Sequence, residues 1–297
     1  MFNTIKIPNN EIKPTGAITL YCEFNIAIQN KMTMIEQVST LFESLKEKDG
    51  FLTATLKNTI GDSTMVYNYP SMYKGTLQNA KLEAAQESSL PLFYAIFIRF
   101  ENYDTLTNSN IDVKLNEVIN PLVVLKSHVH MGLYNTIGAG DREEIYTSDE
   151  EVKEYLLNHN DEPALDFVTV NNHVSIYTED KEIFNQNTLK MLDVAQDTFR
   201  PAPSDSDYNE MFKNGMPGSF QNSHYRKAIT TEFLQSTFPV DGKYLCLFHG
   251  TWESVYDHEN SHLDVRFRKG IMTMLPFVVD GPMEPFYKTI IHKNCNK

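Results

Sequence analysis

Apolar and polar residues alternate over residues 18–28, Ile-Thr-Leu-Tyr-Cys-Glu-Phe-Asn-Ile-Ala-Ile. That period of two marks a strand with one buried face. Directly after it, Ile35, Val38, Phe42 and Leu45 fall at helical spacing, and Asp49-Gly50 ends the helix. Residues 51–56 alternate again, and Phe93 to Phe100, Phe-Tyr-Ala-Ile-Phe-Ile-Arg-Phe, reads as a central strand. Residues 112–124 return to a helical pattern, and a last strand follows at 133–137. The second half repeats the order: strand 167–176, helix 182–195, strand 244–252, a helix from about Tyr256, and strand 284–291. This predicts an α+β protein of two ferredoxin-like halves, each an antiparallel sheet with helices on one face. Two such sheets are expected to pair face to face into a closed α+β barrel.

Short repeats support an internal duplication. Asn108-Ser-Asn-Ile-Asp-Val-Lys114 matches Asn260-Ser-His-Leu-Asp-Val-Arg266, 152 positions on. Pro121-Leu-Val-Val124 matches Pro276-Phe-Val-Val279, and Tyr134-Asn-Thr-Ile137 matches Tyr287-Lys-Thr-Ile290. Weaker echoes join Met72-Tyr-Lys74 and Leu77-Gln-Asn79 to Met211-Phe-Lys213 and Phe220-Gln-Asn222. The chain of 297 residues is therefore divided at 1–145 and 146–297, with a linker expected over residues 138–160. The Pro-broken stretch Arg200 to Asp207 reads as a loop, a candidate lid or assembly contact.

Composition narrows the partners. The net charge of −13 repels phosphate backbones and argues against nucleic acid. No apolar run approaches the roughly 18–20 residues that cross a bilayer, and no leader is visible. Three cysteines, Cys22, Cys246 and Cys295, make no disulfide framework. A cytoplasmic protein is expected.

The chemistry concentrates between Trp252 and Tyr287. Ser254-Val-Tyr-Asp257 fits a capping box and starts a helix carrying His258 and His262. Spacing i, i+4 puts both imidazoles on one face, where they can bind one divalent transition metal. Glu284, between a Gly281-Pro282 turn and Pro285, is the candidate third ligand. The set is then a two-His, one-carboxylate triad, which leaves positions open on ferrous iron for substrate and dioxygen. His258-Glu259-Asn260-Ser261-His262 also has the spacing of the zinc-protease pattern His-Glu-x-x-His. Gly-rich phosphate loops, Gly-x-Ser-x-Gly and Cys-x-x-Cys are absent. His128 and His130 are a minor candidate pair, and His249 lies on the strand before Trp252.

Asp257-His258-Glu259-x-x-His262, followed by Gly281-Pro-Met-Glu284-Pro-Phe-Tyr287, resembles the iron site of the sulfur oxygenase reductase family. Trp252 has its counterpart there too. The resemblance implies a mononuclear non-haem iron on His258, His262 and Glu284. It also implies dioxygen-dependent conversion of inorganic sulfur, or of another small apolar substrate, and a large hollow homo-oligomer. Two features depart from that family. Its iron sits in the first half, where this chain has Leu106, Asn110 and Met131 instead. Its sulfur-carrying cysteine lies near the first helix of the iron-bearing half, and residues 183–199 hold none. Cys246 remains as the candidate catalytic thiol. Two other readings share the fold: a barrel of the antibiotic-biosynthesis monooxygenase or haem-binding type, and a non-enzymatic cage protein.

Overall fold

The computed structural model describes residues 12–62, 91–141, 144–158, 167–197, 228–262 and 265–295. In the first half, strand β1 (Ile18–Ile26) leads through a single 3-10 turn into helix α1 (Lys31–Leu45). Strands β2 (Phe51–Asp62) and β3 (Leu92–Phe100), helices α2 (Tyr103–Ser109) and α3 (Ile111–Ile119), and strand β4 (His130–Asp141) follow. A short strand β5 (Ile145–Tyr146) and helix α4 (Asp149–Asn158) come next. The second half runs β6 (Val168–Tyr177), α5 (Lys181–Asp197), β7 (Thr230–Ser236) and β8 (Lys243–Trp252). It ends with α6 (Val255–Ser261), α7 (Val265–Met274), β9 (Val278–Met283) and β10 (Pro285–Asn294).

The sheet runs in the order β1-β3-β2-β10-β6-β8-β7-β4, and a β1–β4 pairing closes it. The result is an eight-stranded, wholly antiparallel barrel, with β5 and β9 attached to β4 and β6. Within each half the strand order is that of a ferredoxin-like unit. The halves meet edge to edge, through β2–β10 and β4–β7, and not face to face. Closure removes the exposed strand edges that two separate sheets would leave.

Side chains of one parity fill the barrel. Tyr21, Phe97, Tyr134, Leu234, Leu247 and Tyr287 pack together inside it. Polar groups share that interior in paired form, as burial demands. Arg99 donates to Glu232 at 2.6 Å, and Thr136 donates to the other Glu232 oxygen at 2.7 Å. Glu23 meets His173 at 2.9 Å across the two halves and accepts from Tyr21 at 2.5 Å. These partners outweigh burial and hold both carboxyls down at about 2. Side chains of the other parity face the helices. In the first half they build a continuous core with Met34, Phe42, Leu106, Ile111 and Leu115.

Several expectations change. The helix expected at 112–124 is shorter, Ile111–Ile119, and a separate short helix, Tyr103–Ser109, precedes it across Asn110, whose φ of 54° turns the chain between them. The expected linker at 138–160 is largely regular structure: β4 runs to Asp141, and α4 spans Asp149–Asn158. The weak repeats at 72–79 and 211–222, and the loop at 200–207, lie outside the described residues. No helix among the described residues is long and apolar enough to cross a membrane.

Candidate functional site

Helix α6 begins as its capping signal dictates. Ser254 Oγ accepts from the Asp257 amide at 3.2 Å and donates to the Asp257 carboxylate at 2.5 Å. Trp252, buried at the end of β8, packs with Val168, Val170 and Phe286 and anchors the helix start against the sheet. His258 lies on α6 and His262 directly after its last residue, with ring centroids 4.7 Å apart. Trp252 and Phe286 meet His258 in edge-to-face contacts with ring centroids 5.4 and 5.2 Å apart, and Phe267 stacks on His262 at a centroid distance of 5.3 Å. Aromatic contacts thus fix both imidazoles.

Glu284 reaches the same spot from the junction of β9 and β10. Gly281 makes that junction possible. Its φ is +96°, and a Cβ there would stand 2.3 Å from the His173 carbonyl oxygen. Only glycine lets this stretch lie so close on β6. Register then runs Tyr287 against Thr169 and Phe286 against Val170. Two residues further, Glu284 stands level with Asn172, whose amide donates to its Oε1.

Ligand atoms of His258, His262 and Glu284 all lie within 4.8 Å of one another, and all three residues are buried. Burial, reinforced by the neighbouring His262, lowers the basicity of His258 well below that of a free imidazole. Its ring is therefore neutral at pH 7, the form that binds metals. His258 Nδ1 has no hydrogen-bond partner. Two imidazoles and a carboxylate, buried and close together, are a donor set that fits a divalent transition metal.

The three residues lie in the wall of a cavity of about 130 Å³ between the second-half sheet and its helices. Phe184, Met191, Leu192, Phe248, Ile271 and Met274 supply much of the remaining wall. None of its described lining residues is Lys or Arg. The first half shows what this space becomes without a site. Strand pairings Ile18–Phe100 and Val168–Trp252 align the halves. Leu106 then occupies the place of His258, and Met131 that of Glu284. Leu106 is buried in the first-half core, and Met131 packs against it.

Cys246 is packed behind this wall and is not among the residues that line the cavity. Its side chain faces the helix layer, among Val174, Phe184 and Phe233, and not the barrel interior. It accepts from Gln235 at 3.5 Å, and burial pushes its thiol up to about 12. It stays protonated and is a poor nucleophile. His130 bonds Tyr134 at 2.9 Å, while His128 sits on a 3-10 turn, so the two do not form a common site. Asn172 is a site residue that sequence pattern alone does not reveal, because an isolated Asn on a strand carries no spacing signal.

Comparison with known families places the chain. The model of the CT0912-like C-terminal domain matches residues 137–290, more than half of the sequence. The chain belongs to the CT0912-like family. An ABM-like domain model matches residues 17–105 of this CT0912-like chain. No curated protein matches it. Among solved structures, a candidate monooxygenase from Fusobacterium nucleatum covers 94% of this chain and 95% of its own. Its identity is 10% and its TM-score 0.54. An anthrone oxidase-like protein covers 96% and 97%, at 9% identity and TM-score 0.55. A candidate monooxygenase from Lactobacillus acidophilus covers 94% and 96%, at 9% and 0.52. At such identities the likeness is one of fold. These matches replace the sulfur oxygenase reductase resemblance. That resemblance rested on one short stretch, the His258/His262 helix and the Glu284 segment between Trp252 and Tyr287. The surrounding chain is ABM-like and CT0912-like.

Proposed function

We propose that this CT0912-like chain is an oxygenase of the ABM-like α+β-barrel type. In this reading it acts on a small, uncharged, apolar molecule and uses a divalent metal, iron foremost, on His258, His262 and Glu284. The observation that carries the reading is the juxtaposition of three buried ligand residues with an apolar cavity, found among the described residues in the second half alone. The Leu and Met at the equivalent places of the other half support it. Substrate and dioxygen are the expected partners.

The wall residues indicate what enters. An engineered apolar cavity of roughly 150 Å³ accepts benzene, so a cavity of about 130 Å³ suits a molecule of about one ring and not a porphyrin. A wall without Lys or Arg offers no cationic side chain to an acid or a phosphate, and desolvating a charge without one is costly. A three-residue donor set leaves open positions, where a bound ion would bring dioxygen activation to the substrate. The protein's own part is to keep His258 neutral, to hold Glu284 through Asn172, and to keep water from the apolar walls.

Oxygen uptake by protein loaded anaerobically with ferrous iron, assayed on a panel of one-ring phenols and hydrocarbons, tests the reading. Uptake should be lost in His258→Ala and His262→Ala and on chelation. The ABM-like match over residues 17–105 also favours a second reading, a metal-free oxygenase, and uptake that persists in chelator would select it.

A further inference from the structure

We propose that Asn172 is a positioning residue of the metal centre, holding Glu284 to one oxygen donor and thereby keeping coordination positions open. This rests on the reading that His258, His262 and Glu284 bind a metal.

Asn172 Nδ2 donates to Glu284 Oε1. An ionised carboxylate only accepts, so the carboxylate sets the amide's orientation and turns Oδ1 away. Asn172 Oδ1 finds no hydrogen-bond partner and is shielded from solvent. The amide is thus kept for one bond, although the other half of its hydrogen-bonding capacity is wasted. With one oxygen engaged by the amide, Glu284 is disposed to offer the other to an ion. A carboxylate free to swing would offer both and fill a position that substrate or dioxygen needs.

The duplication supplies independent support. Thr19 pairs with Tyr134 in the first half, and Thr169 with Tyr287 in the second. These two pairs align the sheets. Asn172 and Glu284 then correspond to Cys22 and Met131, which are themselves cross-strand partners. Cys22 is buried in the first-half core, and Met131 packs on that core. The apolar pair of one half is an amide–carboxylate pair in the other. As packing, the apolar pair is the better choice, since it leaves no acceptor unpaired. The polar pair coincides with the half that carries the two histidines. Glu284 and its amide partner differ from the first half as a unit, which is what a ligand and its orienting group require.

The test titrates cobalt(II) into the metal-free, full-length protein and follows its ligand-field absorption. Wild type is compared with Asn172→Leu, of similar volume but without a donor, and with Asn172→Gln, which keeps the amide. We expect the Leu variant to bind cobalt(II) roughly 10–100-fold more weakly, the usual loss for an orienting group. Its absorption band should shift as Glu284 turns a second oxygen to the ion. The Gln variant should recover part of both. Asn172→Ala replaces the Leu variant if circular dichroism shows the latter misfolded. Wild-type affinity and an unshifted band in the donorless variant overturn the positioning role alone. Failure of wild type to bind cobalt(II) overturns the metal reading, and this inference with it.

Discussion

Replacing His258 with leucine imports the first-half solution into the second half and separates stability from function. His258 is 5% exposed, and its Nδ1 is unpaired; Leu106, at the corresponding place, is 1% exposed within a packed core. A buried polar atom without a partner costs about 1–3 kcal/mol, and leucine removes that cost while filling similar volume. His258→Leu should therefore be more stable than wild type in chelator. For a protein of this size each kcal/mol moves Tm by about 2–4 °C, so a rise of roughly 2–12 °C is expected. Metal reverses the order. An ion at 100 times its Kd adds about 2.7 kcal/mol to a protein that binds it only when folded. Wild type should gain that increment and the variant should not. The assay is thermal unfolding by circular dichroism, with chelator and with a metal series. A variant that melts lower than wild type in chelator, or one that responds to metal as wild type does, refutes the reasoning.

Other outcomes follow from the barrel interior and the thiols. Glu232 ionises at about 2, chiefly because Arg99 offsets its burial. Relative to an unfolded-state value near 4.3, this contributes about 3 kcal/mol above roughly pH 5. The contribution is lost as pH falls toward 2, so denaturant midpoints should drop steeply over that window. Arg99→Met leaves the carboxylate without its main partner and should cost about 3–5 kcal/mol at pH 7, with a shallower acid dependence. Among the cysteines, Cys22 and Cys246 are buried with raised thiol basicity, while Cys295 is part-exposed. Alkylation of the native protein at pH 8 should label Cys295 alone, by peptide mass mapping, and Cys246→Ala should leave metal binding unchanged.

The chain's fold was legible where one face of an element is uniformly apolar. Residues 18–26, 93–100 and 31–45 show it, and the doubled order of elements followed from them. Strand β7, Thr-Thr-Glu-Phe-Leu-Gln-Ser, was not legible, because Glu232 and Gln235 are buried and erase the alternation that marks a strand. The barrel's polar interior caused that loss, since Arg99 and Thr136 satisfy Glu232 from strands distant in sequence. Helix α2 escaped notice because its seven residues, Tyr103–Ser109, are too few to show an apolar period. At the site, His258 and His262 were visible through helical spacing, and Glu284 through its Gly-Pro setting. Asn172 was not, since its role depends on strand register across more than a hundred residues. The same local pattern misdirected the family assignment: a short ligand motif reports local geometry, and the remaining chain reports ancestry.

Metal content tests the central claim most directly. Protein purified anaerobically, loaded with ferrous iron and desalted should carry one iron per chain by elemental analysis. His258→Ala and His262→Ala, of unchanged circular dichroism, should carry none. Wild-type protein that stays metal-free after loading, or variants that retain a full equivalent, would contradict a metal centre at His258, His262 and Glu284.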